Sequence, residues 1–203
     1  MARTNIPFGG FKYWGSTMGQ NIVPNEFEWQ VADDYATAIF AGDPLKLVSD
    51  GTVAVAAAGD ATIFGIATGS VYNDVKGNLV RSSYLPAATS YSIDRMRSRV
   101  TVIPATAYTI FEVCTNAAVS TVAAARNLVW NNADHVATAA GNTSTGRSGF
   151  ELAIGGAGTA TAQWRLFNIA PDPNNDVTLT QHRWLVIANE VHNWPGVFST
   201  TGI

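Results

Sequence analysis

Between Ala36 and Thr68 the chain breaks into short apolar runs separated by turn residues, a pattern too finely punctuated for long helices. Ala36–Phe40 leads into Ala41-Gly-Asp-Pro44. Leu45–Val48 and Thr52–Ala56 then flank Ser49-Asp-Gly51, and Gly59-Asp60 precedes Thr62–Thr68. Asp50-Gly51 predicts a β-hairpin with a type I′ turn, in which both central residues take positive φ. Leu45 and Leu47 share one strand face and Lys46 takes the other, the period-two pattern of a half-buried strand. Pro44 lacks an N–H and suits a strand start or edge. This stretch predicts the seed of a mainly β fold, a compact β-barrel or β-sandwich.

Residues 1–35 read differently. Phe8, Phe11, Tyr13, Trp14, Phe27 and Trp29 are interleaved with glycines and polar residues, and no period persists beyond about five residues. The segment is expected to be an extended arm that either folds back on its own core or reaches a neighbouring subunit, ordering as it docks. The β-rich domain is expected over residues 36–192, followed by a C-terminal tail at 193–203.

Within the domain, Tyr72–Asn78 reads as a loop and Leu79–Leu85 as a strand stopped by Pro86. Arg95, Arg97 and Arg99 alternate with smaller residues and would share one face of a strand. That stripe either docks on an acidic neighbour or forms a solvated face. Strands are also expected at Tyr108–Cys114, Thr161–Phe167 and His182–Ala188, with Trp164 and Leu166 on one face. Alanine-rich residues 117–128 allow at most one short helix.

Composition excludes several functions. Of 203 residues, 13% are charged, about half the usual share, while 47% are apolar. Low charge suits a surface that ends against other subunits. A net charge of −3 disfavours nucleic-acid coating. The single cysteine, Cys114, permits neither an intramolecular disulfide nor a multi-cysteine zinc site, and it reads as a core residue. No apolar run approaches a membrane span, and Met1–Pro7 lacks the apolar stretch of a signal peptide, so synthesis in the cytoplasm is expected.

No catalytic pattern stands out. Gly141–Gly149 and Gly155–Gly158 lack the Gly-Lys-Ser/Thr of a phosphate loop, and no Gly-x-Ser-x-Gly elbow is present. Asp172-Pro-Asn-Asn-Asp176 begins like a calcium loop but continues with Val177 and has Arg183 where the terminal acid belongs. No histidine of His135, His182 and His192 has a metal-site spacing. We therefore expect no enzyme activity, cofactor or metal.

Three sets of residues resemble a family of tailed-bacteriophage proteins that decorate, or cement, the capsid. They are Ala38–Val48 with Ile63–Ile66; Gly141–Leu152 with Thr161–Leu166; and the last strand leading to Asn189, Glu190 and His192. Val191 interrupts the closing Asn-Glu-His pattern, and the tail beyond Trp194 is extra. The resemblance implies a β-rich homo-oligomer, commonly near local three-fold axes, bound to the major capsid protein on the outside of the virion. In that setting the six aromatics of the arm and Arg95, Arg97 and Arg99 are the candidate interface. Two other readings fit the residues: a displayed glycan-binding module with Trp14, Trp29, Trp130 or Trp194 as stacking platforms, and a ring-forming tail-tube or head-completion subunit.

Overall fold

A computed structural model describes residues 8–19, 25–33, 35–87, 98–158 and 161–189. The fold is mainly β and sandwich-like, built from antiparallel ladders. One five-stranded sheet is formed by β1 (Lys12–Ser16), β10 (Thr109–Cys114), β15 (Arg183–Ala188), β14 (Trp164–Ile169) and β11 (Asn132–Ala133), in that spatial order. The second sheet runs β2 (Phe27–Gln30), β9 (Arg99–Pro104), β6 (Gly65–Asn73), β4 (Pro44–Leu47) and β5 (Val53–Val55), with β7 (Leu79–Ser82) also on β6. Two short ladders join β3 (Ile39–Phe40) to β8 (Tyr84–Leu85) and β12 (His135–Ala137) to β13 (Phe150–Leu152). Helix α1 (Val122–Leu128) is short and is capped by Thr121, whose hydroxyl accepts from the Ala124 N–H at 3.0 Å. No helix among the described residues is long and apolar enough to cross a membrane.

Strand alternation divides the apolar side chains between two main cores. Along β6, Ile66 enters the core shared with the first sheet, where Phe111, Trp164, Leu166, Trp184 and Val186 are buried. Its neighbour Ala67 enters the second core with Leu45, Val53, Phe64, Leu85, Val100 and Val102. The second sheet is thus buried on both faces at its centre, which explains the near-continuous apolar run from Ile63 to Ala67. Its edges approach each other through an isolated parallel bridge, Val31 to Val53, reinforced by Trp29 Nε1 donating to Gly51 O at 2.8 Å. The curl stops short of the barrel allowed by the sequence, because no continuous ladder closes it.

The predicted hairpin is present, with Leu45 opposite Val55 and Leu47 opposite Val53, and β4 begins at Pro44. Its turn is not type I′. Only Gly51 takes a positive φ, 85°; its N–H donates to Val48 O, and Val48 N–H donates to Thr52 O. This is a three-residue loop with a glycine bulge, in which Asp50 stays in ordinary backbone space and its carboxylate accepts from Thr52 N–H at 2.9 Å. The predicted loop at Tyr72–Asn78 also begins too early. Tyr72 and Asn73 extend β6 opposite Val80 and Leu79, and the turn is held by Asp74, which accepts from the N–H groups of Lys76 and Asn78.

The largest departure concerns the expected arm. Its residues 12–16 and 27–30 are strands β1 and β2, hydrogen-bonded to β10 and β9. Between Phe8 and Phe11 the chain crosses the Ala41–Asp43 turn at backbone-to-backbone distance. Phe11 N–H donates to Gly42 O at 2.9 Å, and a Cβ on Gly10 would lie 2.6 Å from Gly42 O and 2.8 Å from Gly42 Cα. Gly10 (φ 70°) and Gly42 (φ 97°) are required there by both conformation and space. The division at residue 35 therefore does not follow the packing of residues 8–19 and 25–33. The predicted tail at 193–203 lies outside the described residues.

This crossing gives a direct stability test. Gly10→Ala is expected to lower the unfolding free energy by roughly 3 kcal/mol or more in chemical denaturation, through overpacking added to backbone strain. Gly59→Ala has the same sign of φ (78°) but open space around the new methyl, and should lose only about 1 kcal/mol. Equal losses would mean that the crossing is not tightly packed.

Candidate interaction surface

The aromatic residues of the N-terminal segment divide according to strand face. Phe11 is buried and stacks on Trp164 with ring centroids 4.5 Å apart, while Tyr13 packs against the rim of the same core. Phe27 and Trp29 cover the second core, each in contact with Phe64 at 5.7 and 4.9 Å. Phe8 is half-buried, and its carbonyl accepts from Arg147 Nη1 at 2.9 Å. Trp14 alone among the six is a large exposed ring, 48% accessible. A register shift between Tyr13 and Gly15 places it at the irregular point of the edge strand β1.

Near Trp14 along β1 and β10 are two exposed side chains that the sequence did not single out, Met18 and Tyr108. Thr17 N–H donates to Tyr108 O at 2.9 Å, joining the ends of these strands. At the opposite edge of the same sheet, Trp130 is 59% exposed and its ring meets Phe167 edge-on at 5.6 Å. The first sheet therefore carries exposed aromatics beside both of its edges. Exposure of Tyr108 was hidden in the sequence by the strong β pattern that follows it.

The arginine stripe is represented by Arg99, because Arg95 and Arg97 lie outside the described residues. Arg99 pairs with Glu28 across β2 and β9 at 3.2 Å, and Arg81 approaches the same carboxylate at 3.7 Å. These exposed pairs contribute little to stability and leave Arg99 with a partner on its own chain.

Among the described residues, the cysteine and both histidines are enclosed. Burial pushes the Cys114 thiol up to about 11, so its thiolate is scarce at neutral pH. His135 is fully buried: Nε2 donates to Ala56 O at 2.9 Å, and Nδ1 accepts from Trp164 Nε1 at 3.1 Å. His182 is also fully buried, with Nδ1 near Leu179 O and Thr115 Oγ1 at 3.0 and 2.9 Å. Thr115 donates its own proton to Ala117 O, so His182 Nδ1 is the donor to both oxygens. Desolvation lowers the pKa of both histidines and keeps them neutral. His192 lies outside the described residues.

Asp172 and Asp176 hold turns and an ion pair. Asp172 accepts from Asn174 N–H at 2.7 Å and pairs with Arg183, which also reaches Glu112 at 3.2 Å. Asp176 accepts from the N–H and hydroxyl of Thr178. Among the described residues no cluster of three metal-ligating side chains occurs.

A cleft of about 780 Å³ lies between Phe8–Gly10 and the Thr138–Glu151 segment. Its polar groups bond to one another: Glu151 accepts from Thr138 at 2.7 Å and from Gln181 at 2.8 Å. The chemistry of this cleft is that of a braced seam.

Below the seam, Asp43 is buried with its carboxylate accepting from Phe40 N–H at 2.8 Å and from the Ser148 hydroxyl. Desolvation raises its pKa from 3.8 to about 6, against the opposing effect of those two bonds.

No protein-family model, curated protein or solved structure matches this chain.

Asp43 makes the fold sensitive to mild acid. The folded state holds this proton more tightly than the unfolded state, so its contribution grows as pH falls through about 6 and is complete below the ordinary value of 3.8. Relative to Asp43→Asn, the wild-type protein should gain roughly 2–3 kcal/mol between pH 7 and pH 4 in paired denaturation curves. A difference independent of pH would show that the carboxylate is solvated.

Proposed function

We propose that this chain is a non-enzymatic structural protein of a bacteriophage head, which binds the outer surface of the assembled capsid and clamps neighbouring capsomers together. The observation that carries this reading is the placement of Trp14, Tyr108 and Trp130, exposed beside both edges of one rigid sheet. Large aromatics of this kind are the anchors of protein interfaces. The low charge of the chain supports the same reading, as does the enclosure of Cys114, His135 and His182. The residues that resemble the capsid-decorating family also converge in space: Ala41, from the first set, bridges Arg147, from the second.

The mechanism is thermodynamic. A protein that binds the assembled lattice and not its loose subunits stabilises the lattice by mass action. A clamp that touches two capsomers gains further because its second contact forms at high effective concentration. Self-association into a homo-oligomer would multiply those contacts, and the partner in each is the major capsid protein.

Cosedimentation with bacteriophage heads that lack this protein tests the reading. Saturable binding at a fixed copy number per head is expected. Its salt dependence should be weak, because Arg99 is paired within the chain and the exposed anchors are aromatic. Absence of saturable binding at every salt concentration would contradict the proposal.

A further inference from the structure

Two non-glycine residues among those described have a positive φ, Trp130 at 71° and Gln181 at 59°. Positive φ is uncommon for any side chain and a genuine outlier for a bulky one. The two are supported differently. Gln181 turns its amide inward, where Nε2 donates to Glu151 at 2.8 Å and its backbone N–H donates to Thr115 O at 3.0 Å. Trp130 turns its indole outward.

The local geometry around Trp130 is that of a type II turn. Val129 sits at φ −57°, ψ 133°, Trp130 at φ 71°, and Asn131 N–H donates to Leu128 O at 2.9 Å. The third position of such a turn is occupied by glycine or asparagine almost as a rule. The turn is locked to the adjoining strand on both sides: Trp130 N–H donates to Leu166 O at 2.7 Å, and Leu166 N–H donates to Asn131 O at 2.8 Å. The backbone is thus held in a conformation that disfavours tryptophan. The indole does not compensate by burial, since it remains 59% exposed. Phe167 supports one side of the ring and fixes its orientation.

A side chain kept against its backbone preference, held rigid and left in water, has the properties of a binding anchor. Little conformational entropy is lost when it docks. We infer that Trp130 is the principal contact through which this protein grips the shell, its indole entering an apolar recess on the capsid protein. The inference rests on the shell-binding reading above and singles out one of its three exposed aromatics. A protein recess fits better than a sugar. The backbone groups beside the ring are already engaged, Trp130 N–H with Leu166 O and Asn131 O with Leu166 N–H, and the ring's neighbour is the apolar Phe167. A saccharide site requires several convergent polar groups around its stacking ring.

The test compares wild type with Trp130→Gly in two measurements, head cosedimentation and thermal unfolding. Glycine relieves the turn, so Trp130→Gly should unfold at the wild-type Tm or above while its affinity for heads falls at least tenfold. Trp14→Ala, at the other edge of the sheet, serves as the comparison and should lose less affinity. Wild-type affinity in Trp130→Gly would overturn the inference while leaving shell binding intact. A Tm lowered by many degrees would also overturn it, by making the indole a packing residue. If wild type itself fails to bind heads, the shell-binding reading falls and this inference with it. Saturable binding of Trp130-dependent soluble polysaccharide, without head binding, would replace the protein recess by a sugar.

Discussion

The meeting of four chain segments on the turn Ala41–Gly42–Asp43 is the constraint on which the rest of the structure depends. Gly42 N–H donates to Ala67 O and Ala67 N–H donates to Asp43 O, which fixes this turn to the long central strand. Ala41 N–H is shared between Ser83 O and Gly146 O, and Ser148 N–H donates to Ala41 O. Gly42 O accepts from Phe11 N–H, which brings in the N-terminal segment. Backbone groups as far apart in the chain as Phe11 and Ser148 are satisfied at one turn. Such an arrangement is possible only where the crossing residues have almost no side chain, and buried backbone polar groups leave little tolerance for an alternative. Asp43 closes the same site from below with a carboxylate that is poorly solvated at neutral pH.

This crossing determines where the two cores lie. It places Phe11 on Trp164 in one core and starts β4, with Leu45, into the other. It also settles which aromatics remain available for a partner. Residues 8–11 pack on the crossing and β1 pairs with β10, so Phe11 and Tyr13 serve packing and the exposed role passes to Trp14, Met18 and Tyr108. The strained turn at Trp130 lies at the far edge of the first sheet, where Leu128 and Val129 pack on the first core and the indole stays exposed.

Much of the domain was legible because its signals are local. Leu45 and Leu47, Trp164 and Leu166, and the Arg183–Ala188 run declare strands by alternation or by β-branched and aromatic content, and each lies in a ladder. The alanine-rich run at 117–128 declares the short helix, which forms over Val122–Leu128. The N-terminal segment folds back on its own core, one of its two expected courses, but its strands were not legible because they last only five and four residues and one contains an irregular register. Their partners, β10 and β9, come some seventy to a hundred residues later, so no window along the chain reveals them. The turn at Asp50-Gly51 shows a finer limit. The glycine predicts positive φ at one position, but loop length decides whether the aspartate must join it. Trp130 stood out only as one of four candidate stacking platforms; its strained backbone depends on hydrogen bonds to Leu166 that sequence spacing does not encode.

Native-state hydrogen exchange at the crossing tests the account most directly. The amide protons of Phe11, Gly42, Ala67 and Ser148 all donate to carbonyls within this junction or on strands joined to it. If the crossing is a single cooperative unit, these four amides exchange at one slow rate, with the free energy of global unfolding. Fast exchange at Phe11 beside slow exchange at Gly42 and Ala67 would contradict it, by showing an N-terminal segment that detaches as an arm while the remaining fold stays closed.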